Sequence, residues 1–241
     1  MTFDLTPDQQ AIFDRARAVA RAARTVAATI EKSGRVPEQV HQALTEEGLA
    51  DPFSHGEVTA ILIIEAFATI SAGLAASLGF GSAAGSGLAG TVIPPSLSGL
   101  RGCEFDLASV QRASGTTMVR ARLVCCGLAV GVGRAAVSHA VAAMKATGIK
   151  AGGDEKVPHW ALADAATEVD AARLLTLQAA QVMERGDDPE PAIDLAKPLS
   201  AAAAERAVEA AIRIEGLDGY AKGSLLERLA RDARTLMVIL P

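Results

Sequence analysis

The sequence predicts an all-α protein in which an N-terminal helical unit packs on a C-terminal four-helix bundle. Apolar residues recur at helical spacing nearly everywhere outside Gly79–Met118. Ala contributes 50 and Gly 22 of the 241 residues, so close backbone approach must replace large side chains in the core. The length permits one large domain or two small ones.

The composition excludes two classes of protein. The formal net charge is −5, and the chain has only 6 Phe, 1 Tyr and 1 Trp, so it lacks both the basic surface and the stacking aromatics of a nucleic-acid binder. Half of the residues are apolar, which argues against intrinsic disorder.

Three sequence features favour a cytoplasmic protein. Met1–Gln10 has no signal-peptide pattern. The number of cysteines is odd, and we interpret Cys103, Cys125 and Cys126 as buried free thiols in a reducing compartment. Ala66–Leu100 is uncharged but rich in Gly, Ser and Pro, and therefore reads as a buried helix followed by a loop, not a membrane span.

The N-terminal half should contain three helices. Thr6 is a predicted N-cap with Pro7 in the first turn, and this helix should run to about Glu31. A second helix is expected to begin at Pro37. The third, Glu57–Leu78, is apolar on nearly every face and should be buried.

The C-terminal half reads as an antiparallel bundle that follows an unusually long connector, Gly79–Met118. Only a short stretch of that connector, around Cys103–Gln111, is strand-like. The expected bundle helices are Val119–Thr147, Pro158–Arg185, Ala192–Glu215 and Ser224–Leu240. We divide the chain into a helical domain (1–90), a connector (91–118) and a bundle (119–241).

Several polar residues could carry a function. Glu65 is a lone acid on an apolar helix, and is either a functional acid or a hydrogen-bonded structural carboxylate. His139 has no second ligand at helical spacing, and no metal motif is present. The cations Lys145, Lys150, Lys156 and Arg213 could grip a phosphate or simply be solvated.

Five stretches carry a resemblance to a known family: Phe3–Gln10, Val36–Leu49, Leu162–Leu175, Ala207–Tyr220 and Glu227–Ala233. Taken in order, they resemble the acyl-CoA dehydrogenase family. The resemblance implies an N-terminal helical domain, a middle β-domain and a C-terminal four-helix bundle. The connector leaves no room for the β-domain, so this chain should be all helical, unlike its relatives.

The resemblance also implies a carboxylate base that takes the α-proton of an acyl thioester. The usual base position, nine residues after Arg231, is Leu240 here. The alternative position on the first bundle helix is Ala121. Neither side chain accepts a proton, so we expect no catalytic residue at the family positions.

The flavin positions of the family are degenerate. The resemblance places Lys145 at the family's phosphate-binding Arg, and Arg213 at a Gln that precedes the glycine-rich turn. In that turn Gly216, Gly219 and Tyr220 are kept, but Leu217 replaces a Gly. We therefore expect no flavin in the chain alone, and FAD only if a partner subunit shares the site.

Three hypotheses of function remain open. In the first, the chain is a degenerate subunit of acyl-CoA metabolism (fatty-acid or steroid side-chain) that pairs with a complete flavin-bearing relative. In the second, it is an enzyme that acts on an acyl thioester without redox chemistry. In the third, it is a binding protein for an acyl or polycyclic ligand. We expect a homo-oligomer through the bundle or a hetero-oligomer with a full-length acyl-CoA dehydrogenase. Ala-rich seams such as Ala201–Ala204 are candidates for its interface.

Overall fold

The computed structural model describes residues 4–85, 98–104, 112–146 and 156–239. Within these ranges every regular element is helical and no strand occurs, which confirms the all-α prediction. The α-helices are α1 (Pro7–Ala23), α2 (Ala27–Ser33), α3 (Glu38–Glu46), α4 (Glu57–Ala68), α5 (Ala72–Ala83), α6 (Gly115–Ala146), α7 (Lys156–Glu184), α8 (Glu190–Glu215) and α9 (Leu225–Val238). Short 3₁₀ segments cover Arg24–Val26, Pro52–His55 and Gly216–Tyr220.

The first helix begins as predicted but is interrupted before Glu31. Thr6 Oγ1 accepts from the Gln9 amide at 3.2 Å, and Gln9 Oε1 accepts from the Thr6 amide at 3.0 Å, a reciprocal capping box. A 3₁₀ turn then separates α1 from α2. The Thr25 hydroxyl donates to the Ala22 carbonyl at this break, a local bond that competes with regular helix.

The prediction of one helix over Glu57–Leu78 is wrong, because two helices meet at Ser71. The Ser71 hydroxyl caps α5 by accepting from the Leu74 amide at 3.3 Å, and α5 then continues to Ala83, inside the predicted connector. Every residue of α4 and α5 is buried, as predicted for this segment. A cap in an uninterrupted apolar run leaves no periodicity signal at the break.

Helix α6 lies at the centre of the molecule and packs on α4, α5, α7, α8 and α9. It begins at Gly115, four residues before the predicted Val119. Its glycines permit close packing, as expected: a Cβ at Gly131 would overlap the Cβ of Ala68, and one at Gly133 would lie 2.7 Å from Val169 Cγ2. By length and composition α6 could cross a membrane, but 72% of its most apolar window is buried inside the protein.

The three cysteines and the Ala-rich seam of α8 are both buried. Cys103, Cys125 and Cys126 are buried and form no disulfide in the described part of the chain, as predicted. Ala201, Ala203 and Ala204 are also buried inside the chain, because α8 turns this face toward the other bundle helices. The expectation that this seam lies at a subunit surface is therefore corrected for those three residues.

The described part of the connector joins the two helical units. The Leu100 amide donates to Asp232 Oδ1 at 2.6 Å, and Glu104 Oε1 accepts from the Val36 amide at 2.9 Å. The Glu104 amide donates to Ser77 Oγ at 2.5 Å. Most of the strand-like stretch Cys103–Gln111 lies outside the described residues, and the division into domains stays a prediction.

Candidate functional site

Of the two family positions for a catalytic base, the structure describes one, Ala121 on α6. Ala121 is 1% exposed on α6, and the arginines that precede and follow it in the sequence are both paired. Arg120 Nη2 lies 2.5 Å from Glu57 Oε1, and Arg122 pairs with Asp194. Leu240 lies outside the described residues.

Two of the four cations that could hold a phosphate, Lys145 and Arg213, lie on helix surfaces in the described part of the chain. Lys145 is exposed near the end of α6. Arg213 is exposed on α8 and pairs with Glu209, one turn away on its own helix. Lys150 and the side chain of Lys156 lie outside the described residues.

The glycine-rich turn after α8 packs on the protein itself. Gly216 ends α8 with a φ of +71°. Gly219 is buried, and a Cβ there would lie 3.0 Å from Glu215 Cβ and 3.2 Å from Leu226 Cδ1. Leu217 and Tyr220 point outward, at 92% and 65% exposed.

His139 bridges α6 to this turn. Its Nε2 lies 3.0 Å from Glu215 Oε1, directly before Gly216. A carboxylate at this place opposes a phosphate group, since like charges repel at short range. In the described part of the chain, Glu215 is therefore paired with His139, Arg213 is paired with Glu209, and Leu217 is exposed.

Glu65 is the centre of a buried ion-pair cluster. Its side chain is 2% exposed; Oε1 accepts from Arg134 Nη1 on α6, and Oε2 from Arg173 Nε on α7 at 2.7 Å. Both oxygens are engaged, as a buried carboxylate requires. Of the two sequence interpretations, this geometry supports the structural carboxylate. The partners were missed because they lie 69 and 108 residues away.

A cavity of about 780 Å³ lies beside this cluster, between α1–α2 and the bundle helices α4, α6 and α9. Seven cations line it: Arg17, Arg21, Arg24 and Lys32 from α1, α2 and the turn between them, and Arg134, Arg228 and Arg231 from the bundle. Two carboxylates, Glu31 and Glu65, are among the described lining residues. This site was not predicted from the sequence, although Arg17, Arg21 and Arg24 recur at helical spacing on one face.

Metal binding finds no support in the described ranges: no group of three or more His, Cys, Asp or Glu side chains there is arranged to hold an ion.

The sequence comparisons agree with the resemblance. Residues 111–239 match the family model of the acyl-CoA dehydrogenase C-terminal domain. The chain is also 31% identical over 128 residues to a cyclohex-1-ene-1-carbonyl-CoA dehydrogenase from Geobacter metallireducens, which covers 51% of this chain and 33% of that protein. The match thus spans only a third of this relative's length.

Solved structures share the fold. Butyryl-CoA dehydrogenase from Megasphaera elsdenii superposes with a TM-score of 0.80 at 15% identity, covering 99% of this chain and 95% of that one. A glutaryl-CoA dehydrogenase with glutaryl-CoA gives 0.75 at 16%, covering 100% and 94%. A nitrososynthase from Micromonospora carbonacea var. africana gives 0.75 at 15%, covering 99% and 94%.

At these identities the structures show the fold alone, and the nitrososynthase shows that this fold also serves other chemistry. The family assignment rests instead on the sequence match. Because that match covers more than half of the chain, from the start of α6 to the end of α9, the protein belongs to the acyl-CoA dehydrogenase family.

Proposed function

We propose that this protein is a subunit of acyl-CoA metabolism that does not oxidise an acyl thioester by itself and works with a complete, flavin-bearing relative. The observation that carries the proposal is Ala121. A base must lie within hydrogen-bond reach of the proton it removes, and an aliphatic side chain buried in α6 meets no part of that requirement.

The environment of the glycine-rich turn supports the same proposal. Glu215 holds His139 where the family's cofactor region would be, and Arg213 is turned to Glu209. A partner that brings its own flavin site would make these losses harmless. The ligand class that the family suggests is an acyl-CoA, and the three buried thiols fit a reducing cytoplasm.

We propose that this protein contacts its partner through exposed apolar side chains. Helix α6 is not part of this contact, because most of its apolar surface is already buried inside the chain. Large apolar side chains remain exposed on α7, α8, the following turn and α9: Trp160, Leu195, Leu217, Tyr220 and Val238. Single exposed apolar residues are common on monomers, so the proposal needs them to gather in one interface. A stable interface would bury on the order of 2,000 Å².

The test compares the chain purified alone with the chain co-expressed with a full-length acyl-CoA dehydrogenase. Alone, it should show no visible flavin absorbance and no acyl-CoA-dependent reduction of an electron acceptor. Co-expressed, it should co-purify with the flavin-bearing relative. Near-stoichiometric flavin together with turnover in the chain alone would overturn the proposal.

Two surface variants locate the contact. Leu217→Asp with Tyr220→Asp should abolish co-purification, because charges would enter an apolar interface. Arg185→Asp, on an exposed residue at the end of α7, is the matched control and should leave co-purification unchanged. Equal recovery of the relative with both variants would remove the turn after α8 from the proposed interface.

A further inference from the structure

The cavity between α1–α2 and the bundle carries an excess of positive charge. Seven cations and two carboxylates line it, in a chain whose net charge is −5. Arg17 also pairs with Asp14 and Arg231 with Glu227, so four of the seven cations remain without an ion pair in the described part of the chain. Its volume of about 780 Å³ is in the range of small-molecule sites. Such a concentration of like charge is stabilised by a bound anion.

The two carboxylates do not neutralise the remaining cations, because each is already shared by two arginines. Glu65 accepts from Arg134 and Arg173. Glu31 Oε1 lies 2.7 Å from Arg231 Nη2 and 3.7 Å from Arg101 Nε. Both lining carboxylates are therefore already engaged in ion pairs within the protein.

Four lining cations form no ion pair in the described part of the chain: Arg21, Arg24, Lys32 and Arg228. Arg21 Nε donates only to the Arg17 carbonyl of its own helix, at 3.2 Å. Arg228 Nη2 donates to the Ile70 carbonyl at 3.2 Å, while its buried Nε has no acceptor among the described residues. A buried guanidinium N–H without an acceptor is costly, and an anionic oxygen in the cavity would supply one.

Part of the remaining wall is apolar, and α9 begins at the cavity. Phe13, Ala20, Ile70 and Ala135 give the cavity an apolar lining. Ser224 and Leu225, at the N-terminus of α9, also line it, where the Ser224 hydroxyl accepts from the Glu227 amide and the Glu227 carboxylate accepts from the Gly223 amide. The site thus offers several donors for a multiply charged group and a separate surface for hydrocarbon.

The cavity lies away from Ala121, the described one of the two family positions for a base, and its wall includes His139, which pairs with Glu215. Ala121 and Arg134 lie 13 residues apart on the same helix, which corresponds to about 20 Å at 1.5 Å per residue. A ligand held by the cations of the cavity would therefore be separate from a group at position 121.

We propose that the cavity binds a phosphate ester with a short apolar body, its phosphate held by Arg21, Lys32 and Arg228 and its hydrocarbon placed against Phe13 and Ile70. A phosphate monoester carries close to two negative charges and three acceptor oxygens. It therefore matches several free cations better than a single carboxylate does.

Calorimetry with octyl phosphate, below its micelle concentration, tests the proposal. Inorganic phosphate and octanol are the two probes that lack one half of the ligand. Octyl phosphate should bind at least about tenfold more tightly than either. Octyl phosphate binding no tighter than octanol would overturn the proposal, as would equal affinity for inorganic phosphate.

Matched variants place the binding in the cavity. Arg21→Gln with Lys32→Gln removes two exposed cations without breaking an ion pair, and should weaken binding about tenfold. Arg35→Gln with Arg185→Gln removes the same charge from exposed residues that do not line the cavity, and should change the dissociation constant less than about twofold. Equal affinities in the two double variants would contradict the assignment.

A third variant adds charge in place of removing it. Ala28→Glu places a carboxylate at an exposed lining position and should weaken binding as well. Vesicles with phosphatidic acid distinguish a membrane source of the phosphate from a soluble ligand. Sedimentation with vesicles in the absence of octyl phosphate binding would overturn the cavity as the site.

Discussion

The Leu100 amide donates a 2.6 Å hydrogen bond to Oδ1 of Asp232, which joins the connector to α9. Asp232 is 2% exposed, and burial raises the pKa of its carboxyl to about 6, with the nearby Glu31 charge adding to the rise. The Leu100 amide, Arg228 and Arg231 oppose this rise. The bond that fixes the connector therefore depends on a carboxyl whose charge is disfavoured by its surroundings.

The raised pKa predicts a pH-dependent stability. The folded state holds the Asp232 proton more tightly than the unfolded state, so the contribution of this carboxyl to stability falls as pH rises from about 4 to about 6. Asp232→Asn keeps an acceptor for Leu100 but removes the titration. The free energy of unfolding of the variant relative to the parent should rise by ~3 kcal/mol across this window, measured by urea unfolding at several pH values.

Asp4→Asn is the control, since Asp4 is an exposed carboxyl near the N-terminus. Its unfolding curve should follow that of the parent at every pH. A parallel pH dependence in the Asp232→Asn variant and the parent would show that Asp232 does not titrate in this range.

The Glu65 cluster predicts a second stability effect. Glu65→Gln leaves Arg134 and Arg173 facing a neutral group next to the core, and should cost about 3 kcal/mol of unfolding free energy. Glu209→Gln breaks the exposed Glu209–Arg213 pair on α8 and should cost less than about 1 kcal/mol. Urea denaturation measures both, and equal losses would contradict the special position of Glu65.

Two glycines of α6 test the close packing of the central helix. Gly131→Ala would bring a Cβ onto that of Ala68, so the helices must move apart, at a cost of about 1–3 kcal/mol. At Gly127 a new Cβ would lie 3.4 Å from Ile61 Cγ2, and Ala is the better helix former. Gly127→Ala should therefore be neutral or stabilising in thermal unfolding, and a loss equal to that of Gly131→Ala would contradict this packing.

Structural features that depend on residues close together in the sequence could be predicted, and those that depend on distant residues could not. The Thr6 cap and the helix periodicity are local, and both were predicted. The Ser71 cap that separates α4 from α5 was hidden because the residues on both sides are apolar. The arginines that hold Glu65 and the helices that enclose the cavity are distant in sequence, so no local pattern brings them together.

The candidate site shows the same limit. Ala121 and the exposed Leu217 could be found by matching single positions to a family. The contact of Glu215 with His139 beside the turn depends on how α6, α8 and α9 pack together. The same is true of the Arg228 Nε at the cavity wall, which has no acceptor among the described residues. Such packing is a property of the whole fold.

We propose that the protein acts within an assembly and not as an independent dehydrogenase. The decisive experiment is light scattering at micromolar concentration, recorded together with visible absorbance, on the chain alone and on the chain co-expressed with a full-length relative. We expect a stable oligomer, with flavin absorbance only when the relative is present. A well-folded monomer that stays separate from the relative, or a chain that carries flavin alone, would contradict it.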